Sequence, residues 1–272
     1  MNERFFRRLT AVPGMRSLWL KKPVGSVPLR VAYDVWDRPH YAYGTFHAAE
    51  QAVTLGLKAI SVIEFGVAGG RGLLGLEEIA RQIGKYFGIQ ILVFGFDAGQ
   101  GMPEPSDYRD LPHVWAKGFY KMEQEKLRAA LSTAKLVIGP VQDTVPEFIG
   151  TQLTAPLGFL AFDLDYYTST KHAFQILSAE QHLRLPRIYC YFDDIVWPEL
   201  ACHNQYTGEL LAIREFNDAP SDCKIAPIHM LRHMRVHPAA WNDMIYVMHD
   251  FGHPQYCVNL MPAGNAYSQL PI

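Results

Sequence analysis

Four aspartates in two short runs are the residues best suited to chemistry: Asp163 and Asp165 in F-D-L-D-Y-Y-T-S-T, and Asp193 and Asp194 in Y-F-D-D. Oxygen ligands alone favour a hard cation, Mg²⁺ first. Helix caps or a lysine-paired network are the other readings of such acids. A second feature is the run Glu64-Phe-Gly-Val-Ala-Gly-Gly-Arg-Gly72. Its glycines let the backbone turn sharply and approach a ligand where a β-carbon would collide. A helix starting there offers unpaired N–H groups to a carboxylate or phosphate. A simple tight turn is the competing reading, because Ala68 and Arg71 break the G-x-G-x-x-G fingerprint. Third, Asp97 in V-F-G-F-D-A-G-Q-G-M-P can accept both hydroxyls of a ribose or cap a helix.

These residues need elements to hold them. Ala59–Phe65, Ile91–Phe96, Lys135–Gly139, Gly158–Phe162 and Arg187–Phe192 read as buried strands, because each is a short run of apolar residues. Between them, Gly69–Phe87, Phe119–Ser132 and a stretch from Ser169 to about Glu180 read as helices. Apolar strands alternating with helices predict a parallel α/β sheet covered on both faces. Ile245–His249 and Gln255–Leu260 are expected to pair antiparallel at one edge, and Gly208–Asn217 reads as a helix near the site. Residues 1–58 are expected to form a partly helical extension, with Tyr43–Gly56 its longest unbroken stretch, before a domain spanning 59–272. Glu64, Asp97, Asp163 and Asp193/Asp194 then fall at the carboxyl ends of strands, where open parallel sheets bind ligands.

Composition narrows the function classes. Twenty-five Lys+Arg against 27 Asp+Glu give a formal charge of -2 over 272 residues. That balance argues against a dedicated nucleic-acid binder, although the basic N-terminal stretch either touches an anionic surface or is a solvated arm. No window approaches a membrane span, and MNERFFRRLT lacks the apolar region of a secretory signal. The four cysteines form no CxxC pair, so a cytoplasmic protein with reduced thiols is expected. His229, His233 and His237 recur every four residues, but no H-E-x-x-H accompanies them, and His249, Asp250 and His253 lack a G-x-S-x-G nucleophile.

In order along residues 60–200, E-F-G-V-A-G-G, F-G-F-D-A-G-Q-G-M-P-E-P, G-P-V-Q-D-T-V-P, F-D-L-D-Y-Y-T-S-T and Y-F-D-D resemble the sugar O-methyltransferases of macrolide biosynthesis, the macrocin O-methyltransferase (TylF) type. The resemblance implies a Rossmann-like, mostly parallel seven-stranded class I methyltransferase sheet and S-adenosylmethionine as donor. It implies that Gly66, Ala68 and Gly70 shape the loop around the donor's methionine end, with Glu64 beneath and Asp97 at the ribose. Asp143 would stand beside the adenine, cap a helix, or do both. In that strand order Asp163 and Asp193 lie about 5 Å apart, a repulsion of about 3 kcal/mol at an effective dielectric of about 20. A cation, metal or side chain, must offset it. The family's metal ligands correspond to Asp163, Asp193 and Asp194, and Asp165 falls near the acceptor.

The implied reaction is O-methylation of a small hydroxylated acceptor, sugar-containing or catechol-like, assisted by Mg²⁺. Catechol-type relatives carry a lysine three residues past the first metal aspartate, where this chain has Tyr166. That departure leaves Asp165 or bound solvent as the base. An NAD(P)-dependent oxidoreductase and a non-catalytic relative are the alternatives, and the acceptor and any homo-oligomeric assembly stay open.

Overall fold

A computed structural model of the chain describes residues 14–261, together with Phe6, Thr10 and Val12. In chain order the helices are α1 (Met15–Lys21), α2 (Val27–Ala32), α3 (Pro39–Thr54), α4 (Arg71–Phe87), α5 (Gln124–Ala130), α6 (Val141–Thr151), α7 (Tyr167–Ala173), α8 (Gly208–Asp218) and α9 (Leu231–Met234). The strands are β1 (Ala59–Phe65), β2 (Gln90–Asp97), β3 (Lys135–Ile138), β4 (Leu157–Phe162), β5 (Arg184–Phe192), β6 (Cys223–Pro227) and β7 (Ile245–Asp250). They form one sheet in the order β3-β2-β1-β4-β5-β7-β6. Strands β1 to β5 pair in parallel, and β7 runs antiparallel to both β5 and β6.

Alternation along the strands assigns the layers. Phe159 of β4 and Tyr191 of β5 meet Tyr41 of α3, and Gly95 of β2 faces Leu73 of α4. Phe94 and Phe96 meet Phe148 of α6. Phe162 and Phe192 meet Phe174, in the 3-10 turn after α7. Helix α3 lies inside the expected N-terminal extension, yet it packs into the same core as the sheet. At Gly44 it comes so close that a β-carbon would overlap the Phe159 ring.

Two expectations need correction. Gln255–Leu260 is not a strand, and the edge partner of β7 is Cys223–Pro227. Residues 251–258 turn back repeatedly, so Tyr256 lies over the Arg187 guanidinium, 3.9 Å from its centre, and its hydroxyl meets His249 Nδ1 at 2.8 Å. The helix expected from Phe119 begins only at Gln124, because residues 119–123 finish the long loop that leaves β2. The four cysteines are free, and among the described residues no helix is long and apolar enough to cross a membrane.

Candidate active site

A row of phenylalanines sets the floor of the site. Phe96, Phe65, Phe162 and Phe192 stand in register across β2, β1, β4 and β5. Their ring centroids are 4.9, 5.3 and 4.9 Å apart. Each such pair contributes about 0.5–1.5 kcal/mol beyond its buried area. The residue after each ring is therefore held at one level: Asp97, Gly66, Asp163 and Asp193. The last ladder bonds confirm it: the N–H groups of Gly66, Asp163 and Asp193 each donate to the neighbouring strand at 2.9 Å.

Above this floor lies a cavity of about 760 Å³. Loops after β1, β2 and β3 contribute Gly66, Ala68, Asp97 and Gln142, and loops after β4 and β5 contribute Asp163, Asp165, Asp193 and Asp194. The β1 loop is shaped by backbone constraint. Gly66 has φ 84, and a β-carbon there would overlap the carbonyl of Asp163. Gly70, with φ 80, ends the loop as the N-cap of α4, and Leu127 fills the space a side chain would need. Ala68 takes φ 46, unfavourable for a residue with a β-carbon. Asp97 holds this shape: its Oδ2 accepts from the Val67 and Ala68 N–H groups at 3.0 and 2.8 Å, and its Oδ1 from Gly99 at 2.6 Å. It is a brace for the glycine loop as well as a lining residue, and no helix follows it to be capped.

Glu64 lies beneath the loop. It is 1% exposed, packs against Gly72 in the first turn of α4, and accepts from the Tyr41 hydroxyl at 2.6 Å. Burial raises its pKa to about 7, although Tyr41 and Arg38 oppose the shift. Arg38 is held above its ordinary pKa: burial works against its charge, but Tyr41, Glu64, Asp163 and Asp193 together outweigh it. Asp143 is exposed in the first turn of α6 and does not line the cavity. Pro140 is the N-cap of α6, and the neighbouring Gln142 lines the cavity instead.

At the other end, one carboxylate oxygen from each of Asp163, Asp193 and Asp194 lies within 4.8 Å of the others, the only such cluster among the described residues. The histidines at 229, 233 and 237 form none. Burial, then Asp194 and Asp193, push the Asp163 pKa well up; burial, then Asp165 and Asp193, do the same for Asp194. Asp165 has φ 60, donates its N–H to Asp194 Oδ2 at 2.8 Å, and is raised by burial to about 7. Two neighbours were not foreseen. Tyr191 donates its hydroxyl to Asp193 Oδ1 at 2.5 Å. Glu209 of α8, fully buried, accepts from the Asp194 N–H at 3.2 Å and leaves its Oε1 without a partner.

Among the described residues no lysine, arginine or histidine forms an ion pair with any of these five acids. Converging carboxylates, partly or fully buried and without an ion-paired partner, fit a hard divalent cation. Tyr166, at the position of the catechol-type lysine, is buried and donates to the Pro103 carbonyl at 3.3 Å, so it braces the β2 loop.

No family model and no curated protein matches the chain. Solved structures do. The calicheamicin methyltransferase CalS11 is 18% identical over 92% of this chain and 94% of its own, with a TM-score of 0.51. The O-methyltransferase NovP is 16% identical over 74% and 90%, with a TM-score of 0.47. TomG of Streptomyces achromogenes, an O-methyltransferase of tomaymycin synthesis, is 14% identical over 91% and 98%, with a TM-score of 0.46. At such identities the likeness concerns fold, and the chain has the Rossmann-like α/β fold of class I methyltransferases.

Proposed function

We propose that this protein transfers a methyl group from S-adenosylmethionine to a hydroxyl of a small-molecule acceptor, with a divalent cation, Mg²⁺ first, held by Asp163, Asp193 and Asp194. The observation that carries the reading is one cavity lined by both the glycine loop and the three converging carboxylates. The shared fold with a calicheamicin methyltransferase supports it, and so do the motifs that resemble the macrocin O-methyltransferase type.

Each residue's task follows from its place. Gly66, Ala68 and Gly70 bring the loop backbone and the N-terminus of α4 against the donor's methionine end, where N–H groups and the helix dipole favour its carboxylate. Glu64 supports that turn from beneath. Asp97 Oδ2 is fully used in bracing the loop, but Oδ1 accepts a single N–H and retains a lone pair, so the carboxylate can accept from a ribose hydroxyl. Gln142 flanks the adenine end, the place first expected for Asp143. When bound, a hard cation lowers the pKa of an acceptor hydroxyl, which is otherwise a poor nucleophile. Asp165 takes the proton, and the cavity walls hold the acceptor oxygen in line with the sulfonium methyl.

The test is methyl transfer from labelled S-adenosylmethionine to a panel of hydroxylated acceptors, with Mg²⁺ and with a chelator. Asp193→Ala is expected to lower turnover roughly 100-fold or more, about 3 kcal/mol of lost transition-state stabilisation. Calorimetry supplies the alternative outcome: binding of NADH but not of S-adenosylmethionine would replace methyl transfer with hydride transfer.

A further inference from the structure

The side chains lining the cavity carry five aspartates and, among the described residues, no lysine, arginine or histidine. Arg38, whose charge the acids feel, is not part of the lining. A divalent cation and the donor's sulfonium together would still leave this wall negative. A phosphate or diphosphate on the acceptor would meet like charge and find no arginine fork or ammonium to receive it.

Apart from Gln142 and Ser169, the rest of the lining is apolar or aromatic, and its largest members are Met102, Pro103, Trp115, Tyr120, Trp197 and Pro198. Trp197 is 60% exposed and Tyr120 is 52% exposed, so large ring faces stand open at the cavity wall. Trp115 packs with Leu111, Tyr166 and Ala201, a small core that joins the β2 loop to the loops after β4 and β5. That packing places the platform at the acidic end, away from the glycine loop.

We infer that the acceptor is an uncharged, phosphate-free diol whose flat apolar ring face lies on Trp115, Tyr120 and Trp197. The inference rests on the methyl-transfer reading of the same cavity. The shared chemistry, adjacent hydroxyls on or beside a flat apolar ring, is met by a diphenol or by a sugar attached to an aromatic group. A sugar carried on a nucleoside diphosphate does not meet it.

The test is tryptophan-fluorescence titration of the full chain with 4-methylcatechol, phenyl glucoside, methyl glucoside and uridine diphosphate glucose, at fixed Mg²⁺, with and without S-adenosylhomocysteine. The two aromatic ligands are expected to bind about three- to tenfold more tightly than methyl glucoside, the value of one aromatic contact. Which of the two binds better distinguishes diphenol from aryl glycoside. Uridine diphosphate glucose is expected to bind most weakly. Trp197→Ala should remove the aromatic preference and Trp197→Phe should restore most of it. Tight binding of the nucleotide sugar, or equal affinities across the panel, overturns the inference. Failure of S-adenosylhomocysteine to bind would instead overturn the donor site, and the two failures are read separately.

Discussion

The two ends of the cavity are built by different physics. At the tips of β1 and β2, shape comes from backbone: glycines with positive φ, an alanine held at φ 46, and one carboxylate satisfied by three N–H groups. At the tips of β4 and β5 the dominant feature is instead a set of partly or fully buried carboxylates that repel one another and, among the described residues, form no ion pair. The first end is complete before any ligand arrives. The second, on the proposed reading, is completed by the cation it binds. Changes to the loop backbone should therefore cost stability, whereas removing a buried carboxylate should recover it.

The largest effect is expected at Gly66. Gly66→Ala sets a β-carbon against the Asp163 carbonyl at a φ that L residues resist, and should destabilise the fold by about 3 kcal/mol or more. Thermal denaturation reads this, and an unchanged midpoint would mean the loop is freer than its packing indicates. Glu64 comes next, through pH. Its folded pKa of about 7 stands above the ordinary 4.5, so its contribution is fully present below pH 4.5 and lost as pH rises through 7. Glu64→Gln should recover up to about 3 kcal/mol of stability at pH 8 and flatten the stability profile between pH 4.5 and 7.

At the acidic end, Asp194→Asn should stabilise the cation-free protein by about 1–2 kcal/mol by relieving repulsion. The same change should abolish stabilisation by Mg²⁺. A loss of stability without the ion would show that the carboxylates are already compensated. The smallest effect is expected at Gly69, where a β-carbon meets nothing within 4 Å. Gly69→Ala should change stability by less than about 0.5 kcal/mol, which makes it the control for Gly66→Ala.

What could be read in the sequence divides along the same line. Strands β1 to β5 are local apolar runs, and the acids that follow them are adjacent in sequence to the phenylalanines that set their level, so both were legible. The edge was not. Cys223–Pro227 is short, half-exposed and carries Lys224 and Pro227, whereas Gln255–Leu260 reads as more apolar but is bent by the turns around Pro254. Gln142 lines the cavity and Asp143 does not, because one residue turns a helix by about 100°. Glu209, Tyr41 and Tyr191 reach the site through tertiary packing. Tyr41 lies 23 residues before its partner Glu64, and no local pattern marks such a contact.

The most direct measurement is a crystal structure with S-adenosylhomocysteine and Mn²⁺, using anomalous scattering to locate the ion. The nucleoside should lie between Gly66, Asp97 and Gln142, with one manganese peak among Asp163, Asp193 and Asp194. An ion-free acid cluster, or a nucleoside bound away from the glycine loop, would contradict a methyl-transfer site built across these strand tips.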